Sequence, residues 1–394
     1  MNRDQQPRVL FYVQHLLGVG HVFRARKIAT GLQSRGIAVD MVFGGPTLHG
    51  TELEADRVFF LPVIKAGAID YSYNVDGQGR RLTPEYLAKR QKRLLDIVDD
   101  LNPDLVLLEA FPFGRRFLRD EMAALFDALN RKPKPPIVAT SVRDILQEKR
   151  KRGRTEEAVA TIQSSIDRVI VHSDPDLIQL GGSFPLAAEI EDRTSYSGFV
   201  VDGDVEKSPV PAEPFDVIIT AGGGAFGDCL MTTALKAHEH SSLKGARWCL
   251  ATGPNCPLNV RKQLEAEAPK NITVTTFLDG LSTHFAAAQV TVSQAGYNTS
   301  MDFLAARERS DLSHVFVPFD IDGQTEQIKR ATLLSDHGLS VCLPQSRLTP
   351  QALASAIDDA LALEKPAFTF RADGVETTAL LIETWIAERK AKAE

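Results

Sequence analysis

A histidine and a glutamate follow two apolar stretches in positions that suit proton transfer. His21 stands in the segment Leu17–Ala25, which comes after the apolar stretch Arg8–Val13 and opens a helix-length amphipathic stretch. An imidazole has a pKa suited to taking a proton from a hydroxyl, and a carboxylate is needed to orient it. Glu109 follows the apolar stretch Leu105–Leu108, and neighbouring parallel strands end at the same edge of a sheet. We therefore predict that His21 is a general base and that Glu109 orients it.

Two alternatives to this interpretation stay open. His21 could simply cap the helix that it opens. His15, which lies nearer to the end of the first apolar stretch, is a less well placed second candidate for the base. The sequence does not decide which of the two histidines takes the proton.

Three consecutive glycines form the first candidate ligand turn. Gly222, Gly223 and Gly224 follow an apolar stretch that ends at Thr220 and precede a helix that begins near Asp228. Glycines let the backbone approach a ligand closely, and the unpaired N–H groups of a helix start attract anions. The turn therefore favours a diphosphate, although a tight turn without a ligand is the alternative. It matches neither a P-loop nor a complete dinucleotide fingerprint.

A second strand, turn and helix start lie at Ser293–Asp302. Either Asn298 or Thr299 is predicted to cap this helix, and the N–H groups there would meet another phosphate edge. The carboxylate of Asp302 is predicted to accept hydrogen bonds from a ribose diol, and the alternative is that it complements the helix dipole. The predicted ligand contacts in this segment are Gln294, Gly296, Asn298, Thr299 and Asp302.

A third segment, Pro318–Gln327, gathers amide and carboxylate groups at another helix start. Asp322, Glu326 and Gln327 are predicted to bind sugar hydroxyls. Asp320 and Asp322 have the spacing of a carboxylate pair for a divalent cation, but no third acidic ligand is evident. We therefore expect neither a metal site nor a cofactor.

The acceptor side of the site is weakly marked. Tyr73 and Arg143 lie in or beside loops that follow predicted strands, and Arg143 is placed to meet an acceptor phosphate or carboxylate, with a surface ion pair as the alternative. The basic run Lys149–Arg154 is interpreted either as a solvated helix end or as a docking patch for an acidic acceptor or a membrane surface.

The elements that carry these residues alternate between short β-branched stretches and amphipathic stretches, which predicts an α/β fold with two doubly wound, Rossmann-like parallel sheets. Predicted strands are Arg8–Val13, Ala38–Val42, Leu105–Leu108, Ile137–Thr140, Arg168–Val171, Asp216–Thr220, Arg247–Ala251, Ile272–Thr276, Val290–Ser293, His314–Val317 and Ser340–Leu343. Predicted helices are His21–Arg35, Pro84–Leu101, Phe117–Asn130, Asp228–His240, Leu258–Ala268, Leu281–Ala287, Asn298–Ala306, Gln324–Asp336, Pro350–Ala362 and Val375–Lys392.

A proline-rich break divides this alternation into two domains. We predict an N-terminal, acceptor-side domain at residues 1–201, a linker at 202–214, a C-terminal donor domain at 215–365 and a final helical segment at 366–394. Ligands of such sheets bind beyond the carboxyl ends of the strands, so the expected site is the cleft between the domains.

Composition narrows the function classes. The chain has 394 residues, 43% of them hydrophobic, and a net charge of −6, which argues against a nucleic-acid partner. No apolar run approaches the roughly 20 residues of a membrane span. The four cysteines have no metal-binding or redox spacing. We expect a cytoplasmic protein, with peripheral contact at the inner face of the membrane as an open alternative.

These segments together resemble the GT-B glycosyltransferases, most closely the family 28-like branch that contains the peptidoglycan N-acetylglucosaminyltransferase. Gly18–Phe23 is similar to the family's N-terminal glycine turn, and the 222–224 turn is similar to its second one. Ser293–Asp302 resembles the motif that ends in a ribose-binding glutamate, with Asp302 one methylene shorter. Phe277 and Leu278 begin a segment that resembles the one capping the nucleotide base.

The resemblance implies a function. It implies inverting, metal-independent transfer of a sugar from a nucleotide diphosphate, with uridine as the expected base, to an unknown hydroxyl acceptor such as a glycan, a lipid-linked sugar or a small molecule. It also implies that Gly20 contacts the donor, that Glu326 and Gln327 meet the sugar, and that the final helix returns to the N-terminal domain.

Two other functions are compatible with the same motifs. A nucleotide-sugar hydrolase or a nonhydrolysing epimerase would use the same fold and donor site. A non-catalytic nucleotide-sugar-binding protein would bind the diphosphate without turnover and would not need His21.

Overall fold

The computed structural model describes residues 6–16, 20–46, 53–67, 73–147, 153–201, 211–223, 227–321 and 323–393. The chain divides into two compact units, one made of Met1–Val200 with Arg371–Glu394 and the other of Val201–Phe370. Each unit contains a parallel sheet with helices, so the predicted fold class of two doubly wound α/β domains is confirmed. Most of the predicted linker, residues 202–210, lies outside the described residues.

The described residues of the first unit form a seven-stranded parallel sheet, a small antiparallel hairpin and five α-helices. In chain order these elements are β1 (Arg8–Val13), α1 (Gly20–Ser34), β2 (Ala38–Phe43), β3 (Arg57–Phe60), β4 (Ile64–Ala66), β5 (Asn74–Asp76), α2 (Pro84–Asp100), β6 (Leu105–Glu109), α3 (Arg119–Asn130), β7 (Ile137–Arg143), α4 (Arg154–Ser165), β8 (Arg168–His172), β9 (Thr194–Tyr196) and, after the second unit, α11 (Gly374–Ala393).

The strand order of this sheet is β3-β2-β1-β6-β7-β8-β9, so its direction of winding reverses between β1 and β6. Alternate residues of a strand point to opposite faces. Leu10 and Tyr12 of β1 accordingly enter a core with α2, α3 and α4, whereas Val9 and Phe11 enter a core with α1 and α11. Both faces of the sheet are therefore covered, and a ligand can approach the central strands only at their ends.

The last helix, α11, completes the first unit. Ala379, Ile382 and Ile386 of α11 are buried in the same core as α1. Gly374 starts the helix where a Cβ atom would come within 2.5 Å of the backbone of Phe199, so only glycine fits this close approach without a shift. The N–H group of Gly374 donates to the carbonyl of Phe199 at 3.0 Å.

In the described part of the second unit there are a six-stranded parallel sheet and six α-helices. In chain order they are β10 (Val217–Thr220), α5 (Asp228–Ala237), β11 (Trp248–Ala251), α6 (Leu258–Glu267), β12 (Ile272–Thr275), α7 (Leu281–Ala286), β13 (Val290–Ser293), α8 (Tyr297–Arg307), β14 (Ser313–Phe316), α9 (Glu326–Asp336), β15 (Val341–Cys342) and α10 (Pro350–Ala362). The strand order β12-β11-β10-β13-β14-β15 is that of a Rossmann fold, with its switch point between β10 and β13.

The sequence predictions located most elements within a few residues but omitted four short strands. The edge strand β3 and the hairpin β4–β5 were missed because they are short and partly exposed. The three-residue strand β9 was missed for the same reason as the hairpin.

None of the helices in the described part of the chain is both long enough and apolar enough to span a bilayer.

Candidate active site

The candidate catalytic pair lies at the switch point of the first unit. β1 and β6 are paired neighbours, with Tyr12 beside Leu108 in register. Glu109 is the last residue of β6, and His21 is the second residue of α1, the helix that follows β1. The sheet therefore brings two residues that are 88 positions apart into contact, with Nδ1 of His21 2.8 Å from Oε1 of Glu109. The side chain of Glu109 is fully buried, and that of His21 keeps 19% of its exposure.

Two further groups hold the carboxylate of Glu109. Arg24, one helical turn after His21, forms an ion pair with Oε1 of Glu109. The hydroxyl of Ser141, on the neighbouring strand β7, lies 3.4 Å from Oε2. Burial alone would raise the pKa of Glu109, but the charge of Arg24 and the hydrogen bond from His21 outweigh it and lower the pKa to about 2. Glu109 is therefore a carboxylate at neutral pH.

The environment also fixes the protonation of His21. Burial is the main cause, and the charge of Arg115 the second, of a pKa lowered to about 3, although the contact with Glu109 acts in the opposite direction. The ring is therefore neutral at neutral pH. Because the carboxylate of Glu109 can only accept, Nδ1 of His21 carries the hydrogen and Nε2 carries the lone pair. The alternative interpretation was that His21 caps the start of α1. Its ring instead contacts the side chain of Glu109.

A buried hydrogen-bonded chain extends behind Glu109. Oγ of Ser141 lies 2.6 Å from Nε2 of His172, and Nδ1 of His172 lies 2.8 Å from Oγ of Ser197. The side chain of His172, the last residue of β8, is completely buried. Burial, followed by the charge of Arg24, lowers the pKa of His172 to about 3, so this ring is also neutral at neutral pH.

His15 is placed differently from His21. It is 1% exposed, and its Nε2 lies 2.8 Å from the carbonyl oxygen of Pro46, to which it donates. Burial lowers the pKa of His15. With one ring nitrogen committed to the backbone and the other buried, His15 has no nitrogen open to a substrate hydroxyl. The geometry therefore favours His21 over His15 as the base.

The two acceptor-side residues lie on different elements of the first unit. Arg143 is the last residue of β7 and pairs with His172 of β8 in register. Tyr73 precedes β5, with the guanidinium of Arg81 5.5 Å from its ring centre and its carbonyl bonded to Gly67.

The two glycine motifs of the second unit meet at its switch point. Thr220 and Ser293, the last residues of β10 and β13, are register partners. A Cβ atom on Gly222 would lie 3.3 Å from Oγ1 of Thr299, so the first turn packs directly against the start of α8. Gly222 has a φ of 56°, which favours glycine, and the carbonyl of Gly223 accepts a hydrogen bond from the N–H group of Asn255 at 3.2 Å. Gly224 lies outside the described residues.

The start of α8 differs from the prediction. The helix begins at Tyr297 with Gly296 as its N-cap, and no side chain caps it. The predicted cap by Asn298 or Thr299 was therefore wrong, because the helix starts early enough to include both residues. Asp302 is in the second turn of α8 and is partly exposed, which does not suit the alternative role at the helix dipole.

The segment that follows β12 carries the residues predicted to meet the base. Phe277 is one of the few large apolar side chains at the surface, with 57% of it exposed, and Leu278 is partly exposed. Arg261 of α6 donates to Oγ1 of Thr276 at 2.8 Å, which anchors the backbone just before Phe277. Phe277 is therefore held in place through its neighbour while its ring faces outward.

Glu326 and Gln327, at the start of α9, are engaged in part by the protein itself. Oε1 of Glu326 pairs at 2.9 Å with the buried Arg330, which also donates to the carbonyl of Ala295 at 2.6 Å. Oε1 of Gln327 accepts from the N–H group of Phe319 at 3.0 Å, so its amide nitrogen is the group that remains a donor for a ligand.

Only one residue of the Asp320–Asp322 carboxylate pair is described. Asp322 lies outside the described residues. The two carboxylate oxygens of Asp320 accept hydrogen bonds from the N–H group and the hydroxyl of Ser346 at 3.0 and 2.5 Å. Across the described ranges, no three or more His, Cys, Asp or Glu side chains are grouped to hold a metal ion.

Four residues near His21 and Glu109 in the first unit were not among the predicted site residues. Arg24 and Ser141 touch Glu109, His172 supports Ser141, and Arg115 is the second-largest influence on the pKa of His21. Arg24 had a readable signal, since it lies three residues after His21 on the same helix face. The other three depend on strand register and loop conformation.

Comparison with known protein families finds a match that covers most of the second unit. Residues 217–377 match the glycosyltransferase family 28 C-terminal domain. The chain is 25% identical over 188 residues to a UDP-N-acetylglucosamine–N-acetylmuramyl-(pentapeptide) pyrophosphoryl-undecaprenol N-acetylglucosamine transferase of Nitrosospira multiformis, covering 46% of this chain and 51% of that protein. It is 33% identical over 86 residues to a protein of the same name from Methylibium petroleiphilum, covering 22% of each. The chain thus matches about half the length of the first relative and less of the second.

Solved structures share the fold over nearly the whole chain. MurG of Acinetobacter baumannii has a TM-score of 0.57 at 16% identity, covering 98% of this chain and 99% of that one. A calicheamicin glycosyltransferase has a TM-score of 0.60 at 14% identity, covering 98% and 95%. A Medicago truncatula protein complexed with UDP-glucose has a TM-score of 0.60 at 10% identity, covering 98% and 99%. The predicted GT-B fold and the resemblance to the family 28 branch are confirmed.

Proposed function

We propose that this protein is an inverting, metal-independent glycosyltransferase that moves a sugar from a nucleotide diphosphate, most simply UDP, to an acceptor hydroxyl. The observation that carries the proposal is the meeting of two glycine motifs at the switch point of a family 28 C-terminal domain. UDP is chosen because two relatives are named for UDP-N-acetylglucosamine and a protein of the same fold is complexed with UDP-glucose.

The donor half of the proposal rests on the second unit. In this proposal the diphosphate is bound by backbone N–H groups of the start of α8 and of the 222–224 turn, other than that of Gly222, which donates to Oγ1 of Thr220 at 3.2 Å. Asp302 accepts hydrogen bonds from the ribose, the exposed ring of Phe277 with Leu278 covers the base, and Gln294 completes the nucleotide contacts. Asp322, Glu326 and the amide nitrogen of Gln327 meet the sugar.

The catalytic half rests on the first unit, with Gly20 beside the donor. The lone pair on Nε2 of His21 takes the proton of the acceptor hydroxyl, and that oxygen attacks the anomeric carbon. The bond between the anomeric carbon and the diphosphate oxygen breaks as the new bond forms, which inverts the configuration. Glu109 accepts the hydrogen bond from Nδ1 and stabilises the imidazolium that results.

The leaving group is stabilised without a metal ion in this proposal. The nucleoside diphosphate gains negative charge as the bond to the sugar breaks. N–H groups of the glycine turns and the helix starts of α5 and α8 are fixed by the fold, so they need no reorganisation to stabilise that charge.

The test is a thermal-unfolding panel with UDP, dTDP, GDP and ADP, on the wild type, Asp302→Ala and Asp302→Glu. Ligand at about 100 times its Kd adds about 2.7 kcal/mol to the free energy of unfolding. We expect one nucleotide to raise the melting temperature, with affinity lowered roughly 10- to 100-fold by Asp302→Ala, since a hydrogen bond to a charged group contributes about 1.5–3 kcal/mol. Asp302→Glu should keep much of the affinity.

The same panel separates the alternatives. No shift with any nucleotide at millimolar concentration would refute the donor site. Nucleotide release from UDP-sugars at full rate without any acceptor would replace the transferase by a hydrolase. Binding without release or transfer, equal in the wild type and in His21→Gln, would indicate a non-catalytic binding protein.

A further inference from the structure

Arg115 is a partly buried cation with little to neutralise it. It lies in the loop that follows Glu109, and its Nε–H group donates to the carbonyl of Gln14 at 2.9 Å. That is the one hydrogen bond of its guanidinium within the described part of the chain, where no carboxylate lies at ion-pair distance from it. Its neighbour Arg116 is exposed and pairs with Glu157 at 2.7 Å. Four N–H donors of Arg115 therefore remain for a ligand.

The backbone of the loop that carries Arg115 has an unfavourable conformation at two residues. Ala110 and Arg115 have φ values of 64° and 60°, in the left-handed region that non-glycine residues rarely adopt. Hydrogen bonds hold the loop in place, with Ala110 donating to Ser141 at 2.9 Å, Gly114 donating to Ala110 at 2.7 Å and Thr140 donating to Phe111 at 2.6 Å. Strained residues of this kind persist where the surrounding structure over-determines them, often at functional sites.

The charged groups with the largest effect on Arg115 are Glu109, Arg143 and Arg24. Glu109 already accepts hydrogen bonds from His21, Arg24 and Ser141. Arg115 therefore lies near a carboxylate that is already hydrogen-bonded and near two further guanidinium groups. Burial, reinforced by Arg143 and Arg24, lowers the pKa of Arg115 to about 10, and the group is still a cation at neutral pH.

This positive charge acts on the candidate base. Among the charged groups with the largest effect on His21, Arg115 and Arg24 lower its pKa and Glu109 raises it, with the charge of Arg115 the strongest of them. A positive environment disfavours the imidazolium that forms when His21 takes a proton. An anion bound to Arg115 would remove this disadvantage, so the base would become effective when that anion is present.

We propose that Arg115, with Arg143, binds an anionic group of the acceptor, a carboxylate or a phosphate, beside the hydroxyl that His21 deprotonates. A guanidinium suits either anion because its parallel N–H groups match two oxygens at once. The acceptor part of this proposal rests on the proposed transferase function, whereas the anion site does not. The substrate class that follows is a hydroxyl acceptor with a neighbouring negative charge, such as a uronic acid or a sugar phosphate.

The experiment follows the ring of His21 by NMR in the full-length chain with ¹³C-labelled histidine. The resonance is assigned by its loss in His21→Gln. Sodium glucuronate and inorganic phosphate are titrated separately, with glucose and sodium chloride as controls at matched ionic strength. The variants are Arg115→Gln, Arg115→Lys and the matched control Arg116→Gln, whose arginine is adjacent in sequence but exposed and ion-paired.

We expect saturable shifts of the His21 resonance in the wild type and in Arg116→Gln, together with a raised pKa of His21. Arg115→Gln should lower the affinity for the anion at least roughly tenfold, as expected for loss of a charged hydrogen-bonding partner. It should also raise the pKa of His21 without any anion, whereas Arg115→Lys should retain part of the binding. A response to glucuronate alone or to phosphate alone supports the proposal and identifies the anion.

Three outcomes would overturn the proposal. One is the absence of a saturable shift with both anions up to 100-fold excess over protein and at least millimolar concentration. Another is an equal shift in the wild type and in Arg115→Gln. The third is a loss of UDP affinity in Arg115→Gln without a change in anion binding, which would assign Arg115 to the donor. UDP binding is measured by thermal unfolding on the same samples, so a failure of the donor site is seen separately from a failure of the anion site.

Discussion

Oε1 of Glu109 lies 2.8 Å from Nδ1 of His21, and this contact decides which ring nitrogen is available as a base. A carboxylate without a proton can only accept a hydrogen bond, so it holds the hydrogen on Nδ1. Nε2 of His21 then carries the lone pair. Of the two side chains, that of His21 is the one that keeps some exposure. The contact also provides a negative charge for the imidazolium that forms during transfer.

Replacing His21 by glutamine should separate catalysis from donor binding. We expect His21→Gln to lower the rate of sugar transfer by roughly 10²- to 10⁴-fold, the usual contribution of a general base. UDP should raise the melting temperature as much as in the wild type, since His21 belongs to the other unit. His240→Gln, at an exposed position, is the matched control. Unchanged transfer by His21→Gln would exclude His21 as the base.

The glycine turn after β10 should respond differently at its two described positions. Gly222→Ala should lower the free energy of unfolding by about 1–2 kcal/mol, because a φ of 56° is unfavourable for alanine. Gly223→Ala should leave stability unchanged, because a Cβ atom there meets nothing within 4 Å. Both substitutions should lower the affinity for UDP if the diphosphate lies on this turn. Wild-type affinity in Gly223→Ala, measured by calorimetry, would place the diphosphate elsewhere.

Phe277 should contribute to nucleotide binding and hardly at all to stability. Stacking of a base on an aromatic ring contributes about 1–3 kcal/mol, so Phe277→Ala should weaken UDP by roughly 5- to 100-fold. With 57% of the side chain exposed, the free energy of unfolding should change little. Leu258→Ala, at a residue with 55% exposure in the same unit, is the control. Equal UDP affinity in the two variants would contradict the stacking role.

Acid should destabilise the protein through its buried neutral histidines. The pKa values of His21 and His172 are lowered from 6.5 to about 3, so between these values the unfolded chain binds protons that the folded chain does not. Stability from these groups is complete above pH 6.5 and is lost as the pH falls towards 3, by up to about 1.4 kcal/mol per pH unit for each histidine.

The variant His172→Gln tests this pH dependence. Urea unfolding at pH 7, 6 and 5 should show a slope against pH that is shallower than in the wild type by roughly 1 kcal/mol per unit. His240→Gln should keep the wild-type slope, since that residue is exposed. Equal slopes in wild type and His172→Gln would mean that His172 is protonated in the folded protein.

The sequence predicted the strands and helices that carry the site better than the contacts among its side chains. Apolar stretches bounded by turns located β1 and β6, and the shared edge of parallel strands predicted that His21 and Glu109 would meet, as they do. Arg24, another partner of the carboxylate, was not predicted, although its spacing of three residues from His21 put it on the same face of α1. The Ser141–His172 contact depends on the register of β7 and β8, which a single sequence does not encode locally.

Backbone conformation was the other part that the sequence did not reveal. Nothing in the residue types of the loop after Glu109 indicates that Arg115 adopts a left-handed conformation. The cap of α8 was assigned to Asn298 or Thr299 because such side chains favour that position, but Gly296 occupies it. The connection from β13 to α8 is only three residues long, and it places the extended Gly296 at the N-cap position.

The participation of α11 in the core of the first unit has a consequence for biosynthesis. Ala379, Ile382, Trp385 and Ile386 fill a core whose other members lie in the first 200 residues. During translation, those earlier residues emerge while the segment that completes their packing has yet to be made. The second unit has all of its strands available sooner after they are synthesised. The first half of the protein to leave the ribosome is therefore the last that can finish folding, and until then it exposes an apolar face that a chaperone can bind.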